Sequence, residues 1–135
     1  MIEEHFPFVN IMVAKSVVSS VQVIDENQFD LVILDLAIPD YDESNEASQD
    51  LGGVIVFRYL QQVHPNVPVI VITQYETLKV GSVLRDISNI KDELSEEFGA
   101  QFLGLLQYKL NDDYWKNCLI NFLRGHVSEF KAYVY

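Results

Sequence analysis

The sequence predicts an alternating α/β chain wound on both sides of a parallel sheet, and three observations predict it. Short apolar runs such as "FDLVILDL" and "VPVIVIT" lack the in-out alternation of a sheet wetted on one face, so they call for burial on both. Between them stand stretches whose apolar residues recur at steps of three and four, the helical period. Strand and helix signals alternate along the chain, the order that right-handed crossovers wind into one doubly wound parallel sheet.

The elements follow in order. "FVNIMVA", Phe8 to Ala14, is rich in β-branched residues and reads as a buried strand. Ser16 suits a helix cap, and Val17, Val18, Val21 and Ile24 then share one helical face, although so many valines leave a strand open. "FDLVILDL" is the second strand. Residues 41–50, "YDESNEASQD", are almost without apolar content and read as a solvated acidic loop insertion. A helix is expected from Gly53, with Val56, Tyr59, Leu60 and Val63 inward and Pro65 as its stop.

Val67 to Thr73 is the third buried strand. Val80, Val83, Leu84, Ile87, Ile90, Leu94 and Phe98 give the strongest helical pattern, with acids and lysines between them facing water. "AQFLGLLQY" is a fourth strand, weakened by Gly104. The last helix starts near Asn111 or Asp112 and buries Trp115, Cys118, Leu119 and Phe122. Residues 129–135, "EFKAYVY", form a strand-like tail.

Size and charge narrow the function. A chain of 135 residues suits one domain, 1–135, and 49% hydrophobic content is enough for a packed core. The formal charge is −11, and the nine Lys and Arg run from Lys15 to Lys131 without forming a basic stripe, which argues against direct nucleic-acid binding. The single cysteine, Cys118, excludes an intrachain disulfide, and the cytoplasm is the default location. No apolar run approaches the roughly 18 to 20 residues that span a bilayer. His5, His64 and His126 lack ligand spacing, Cys118 sits at core spacing, and Trp115 and the tyrosines read as core or interface.

In a doubly wound sheet, ligands gather beyond the carboxyl ends of the strands. Asp35, Thr73 and Lys109 all fall at such ends, bringing a carboxylate, a hydroxyl and an ammonium to one rim. A strand-tip carboxylate suits three jobs: metal ligand, phosphoryl acceptor or general base. A nucleotide-hydrolysing P-loop protein needs a G-x-x-x-x-G-K-[ST] loop, which is absent. A haloacid-dehalogenase-type hydrolase needs a second Asp where this chain has Ala37.

The stretches "FDLVILDLAIP", "LGGVIVFRYLQQVHPNVPVIVIT" and "YKLNDDYWKNCLINFL" resemble the receiver domain of bacterial response regulators. The resemblance implies a flavodoxin-like fold with a five-stranded sheet of order 2-1-3-4-5. It gives Asp35 the place of the phosphoacceptor, Thr73 that of the switch hydroxyl, and Lys109 that of the lysine at the phosphoryl group. It also implies Mg2+ held by Asp35 and the backbone carbonyl of Ala37. The chain departs from the family at its start: "MIEEHF" corresponds to the end of the family's first helix, so the N-terminus reads as truncated and the acidic pair of the first strand has no counterpart. The Lys-Pro of the family is Lys109-Leu110 here, and the strand before it is longer, so the lysine's register can slip by a residue or two. A missing central strand would leave two unpaired edges inside the sheet. "FKAYVY" is expected to fill that gap, within one chain or by strand exchange in a homodimer, the alternative being that the chain is a fragment whose start lies upstream of Met1.

The expected function is phosphoryl acceptance in a phosphorelay: not an enzyme, but a two-component signalling module. The partners implied are a sensor histidine kinase or phosphotransfer protein and a separate output protein. The alternative is a pseudo-receiver, an interaction scaffold without magnesium-dependent phosphorylation.

Overall fold

A computed structural model describes residues 11–37, 52–74, 77–80, 83–108, 114–126 and 132–134. The elements in these segments are α1 (Val17–Glu26), β1 (Leu31–Asp35), α2 (Gly52–Val63), β2 (Val69–Thr73), β3 (Thr77–Val80), β4 (Val83–Asp86), α3 (Ile87–Phe98), β5 (Phe102–Gln107), α4 (Tyr114–His126) and β6 (Ala132–Val134). A short 3-10 turn, Gly99–Gln101, joins α3 to β5.

The main sheet has the order β5-β2-β1-β6, and every neighbouring pair is parallel. Its apolar strands are covered on both faces, as their composition requires. On one face Val32, Leu34, Val69 and Val71 join a core with Ile24 of α1, Val56, Phe57 and Leu60 of α2, and Ile90, Leu94 and Phe98 of α3. By strand alternation Leu31, Ile33 and Ile70 point the other way, and they too are buried; α4 packs on β5 and buries Leu119 and Ile120. The fold is thus α/β and flavodoxin-like, as expected. No helix among the described residues is long and apolar enough to cross a membrane.

β6 occupies the place beside β1. Leu31, Val32 and Ile33 pair in parallel with Ala132, Tyr133 and Val134, so the end of the chain supplies a strand next to the Asp-tipped one. This is where the tail was expected. Pairing on both sides of β1 satisfies the backbone groups of the most deeply buried strand.

Local chemistry explains the helices. Ser16 caps α1 through a capping box: its side chain accepts from the Ser19 amide while the Ser19 side chain accepts from the Ser16 amide. Ile24 is the buried anchor of α1, whereas Val18, expected on the inner face, is 54% exposed. In α2 the inward residues are Val56, Phe57 and Leu60; Phe57 takes the place expected of Val63, which is exposed.

Two expectations need correction. The helix anticipated from Val80 begins at Ile87, because Thr77–Val80 and Val83–Asp86 pair as an antiparallel hairpin. The residues between those strands, Gly81 and Ser82, are of the type that two-residue hairpins favour, and β-branched Val80 and Val83 fit a pleat as well as a helix face. Asp86 then ends the hairpin and caps α3, its carboxylate accepting from the Ser88 amide at 3.3 Å. Ile11 to Ala14, expected in the first strand, pair with no sheet strand, and residues 8–10 lie outside the described residues. α4 is described from Tyr114, and Asn111 and Asp112, near which it was expected to begin, lie outside the described residues. The acidic loop 41–50 and the side chains of Trp115 and Phe122 also lie outside the described residues.

Candidate functional site

The carboxyl ends of β1, β2 and β5 form one rim. Asp35 is the last residue of β1 and is half-buried, while Leu36 just after it is fully buried. A backbone hydrogen bond from Leu36 to the Ile72 carbonyl (3.1 Å) extends the ladder past the strand end and fixes the height of Asp35 on the rim.

The start of α2 locks the same spot from below. The Gly53 amide donates to the Leu36 carbonyl at 3.0 Å, and the two backbones approach so closely that a Cβ on Gly53 would lie 2.4 Å from the Asp35 carbonyl oxygen and 2.6 Å from Leu36 Cα. Only glycine fits at such an approach.

Both carboxylate oxygens of Asp35 have partners. Oδ1 accepts the Ala37 amide at 2.9 Å, the local turn that Asp favours after a strand. Oδ2 accepts the hydroxyl of Tyr108 at 3.1 Å. Tyr108 is the first residue beyond β5, and its amide donates to the Thr73 carbonyl at 2.8 Å, which ties it to the end of β2. Thr73 itself is fully buried, one position past Ile72, the register partner of Asp35.

Asp35 and Thr73 therefore stand at the same end of adjacent parallel strands. Lys109 lies outside the described residues. The residue that reaches Asp35 from the end of β5 is Tyr108, which sequence reasoning placed with core or interface tyrosines. The signal that points to it is its position directly before Lys109 in "YKLNDD", at the end of a strand aimed at the rim, together with the lysine's loose register. β5 holds an irregularity at its start, where its pairing with β2 shifts between Val69/Ile70 and Phe102/Gly104.

Of the other singled-out side chains, His64 has a structural role. His64 lies with Nε2 3.1 Å from the Ile24 carbonyl and its ring edge-on to Phe29, 6.1 Å between centroids. Among the described residues no three His, Cys, Asp or Glu side chains gather as a metal site. Asp35 and the Ala37 carbonyl are the donors that the described rim offers to Mg2+. That is short of the carboxylate pair with which a magnesium ion opposes the charge of a phosphoryl donor.

No known family's sequence profile matches the chain. It is similar to the Detocs response regulatory protein DtcB of Enterobacter cloacae (strain JD6301), with 28% identity over 125 residues; the alignment covers 88% of this chain and 83% of that protein.

Proposed function

We propose that this chain is a response-regulator receiver module that takes a phosphoryl group on Asp35. The observation that carries the reading is the half-exposed carboxylate at the tip of a buried parallel strand, on the rim where such sheets bind ligands. The similarity to a protein named as a response regulatory protein supports the same role.

In the step proposed, a carboxylate oxygen of Asp35 attacks phosphorus in line. The new O–P bond forms as the bond from phosphorus to the donor's imidazole nitrogen or acyl oxygen breaks, and the leaving atom keeps the electron pair. The Ala37 amide and the Gly53 packing hold the nucleophile in place, so its orientation is prepaid. The Thr73 hydroxyl and Lys109 are the groups proposed to receive the phosphoryl oxygens. The donor is a sensor histidine kinase or phosphotransfer protein, and the output passes to a separate protein.

The second reading is the pseudo-receiver scaffold. It is favoured by the neutral phenol at Oδ2 and by the absence, among the described residues, of an acidic cluster at the rim. One experiment separates the two. The protein is incubated with acetyl phosphate and magnesium chloride, and intact mass and the fluorescence of its single tryptophan, Trp115, are followed. A gain of one phosphoryl group that is lost in Asp35→Asn supports the receiver; a folded protein that gains no mass is the scaffold.

A further inference from the structure

With Asp35 as the phosphoryl acceptor, its contact with Tyr108 acquires a chemical consequence, which rests on that reading of the site. Phosphorus bonded to Oδ2 would sit well inside the 3.1 Å that now separates Oδ2 from the Tyr108 hydroxyl. The phenol and the incoming phosphoryl group compete for the lone pairs of the same oxygen. A hydrogen bond donated to a carboxylate also draws off the electron density that attack requires.

The rest of the site cannot yield instead. The Asp35 backbone is held from one side by Gly53, with no room for even a methyl group, and from the other by the Leu36 to Ile72 hydrogen bond. Oδ1 is held by the Ala37 amide. Tyr108, by contrast, has left β5, is half-buried, and precedes the start of α4 at Tyr114 by a short connection.

We infer that Tyr108 is a gate on Asp35: its hydroxyl restrains Oδ2 in the resting state, and the phenol must swing off before the O–P bond forms. The Oδ2–P bond replaces the hydrogen bond; the phenol keeps its own proton, and the donor's leaving atom departs with the electron pair. The amide of Tyr108, bonded to the Thr73 carbonyl, keeps the backbone in place while the phenol moves. Tyr108 acts here as a positioning residue, setting how readily Asp35 reacts.

The test compares the native chain, Tyr108→Phe, Tyr108→Leu and Asp35→Asn for labelling by acetyl phosphate with magnesium chloride, read by intact mass. Tyr108→Phe removes a hydrogen bond to the charged nucleophile and is expected to label roughly tenfold faster than the native chain, with Asp35→Asn unlabelled. Tyr108→Leu should change in the same direction. In the native chain carrying 3-fluorotyrosine, the fluorine resonance of Tyr108, assigned by its loss in Tyr108→Phe, should shift as Asp35 is labelled.

Labelling of Tyr108→Phe at the native rate or slower overturns the gate and leaves the receiver reading standing. So does a Tyr108 resonance that stays put while the native chain gains mass. If neither the native chain nor the two Tyr108 variants gains mass, the receiver reading fails and the gate falls with it.

Discussion

The backbone of Gly53 lies against the carbonyl of Asp35 so closely that a side chain at 53 would meet that oxygen at 2.4 Å. The neighbour is backbone on both sides, in a strand fixed by its own ladder, and neither can give way cheaply. Gly53→Ala is therefore expected to destabilise the fold by about 1–3 kcal/mol, the usual range for overpacking. Gly104→Ala is the control, since a Cβ there meets nothing within 4 Å. Urea unfolding of the two variants should give a lowered midpoint for the first and a native or higher one for the second; equal midpoints would mean that the tight approach does not exist.

A second expectation concerns β6. Removing residues 132–135 strips β1 of its three paired positions, Leu31, Val32 and Ile33, and leaves a buried apolar strand with a bare edge. Bare edges recruit other chains. The truncated chain should unfold at lower urea and form concentration-dependent oligomers by sedimentation velocity. A monomer of native stability would show that β6 contributes nothing to the sheet.

The core offers a quantitative check. Phe57 is fully buried and stacked on Phe98, with ring centroids 3.7 Å apart and planes 9° from parallel, which ties α2 to α3. Phe57→Ala should cost about 3–5 kcal/mol, the range for deleting a buried aromatic side chain. Phe57→Leu should cost much less, because it fills most of the same space. Near-equal losses in chemical denaturation would indicate that cavity formation is not the dominant effect.

Alkaline pH should weaken one tie between α1 and α2. The Tyr59 hydroxyl donates to the Asp25 carboxylate, and that hydrogen bond raises the pKa of Tyr59 above the ordinary phenol value. A folded pKa above the unfolded one favours folding at pH below the unfolded value, near 10, and the contribution disappears as pH climbs through the raised folded value. Tyr59→Phe should remove a phenol that titrates late in absorbance at 295 nm. Its unfolding midpoint should also depend less on pH above 10 than that of the native chain; identical dependence would rule out the contribution.

The sequence by itself determined the α/β class, the helix anchors Ile24, Val56, Leu60, Ile90, Leu94, Phe98 and Leu119, and the carboxylate at the end of β1. These are written in local chemistry: two-faced burial of β1 and β2 shows as continuous apolar runs, and the Ser16 cap sits where a short polar side chain meets a helix start. Spacing failed at Val80–Asp86, where a pattern of threes and fours fits both a helix face and a hairpin of β-branched residues, and only pairing decides between them.

Two further features were left to the tertiary structure. Gly53 closes against Asp35, and Tyr108 reaches Oδ2 from the described end of β5. Each depends on where the crossovers bring distant strand ends and on a strand irregularity that shifts side chains by a position. Such placements are set by packing the whole sheet at once, and one residue of register decides which side chain faces the site.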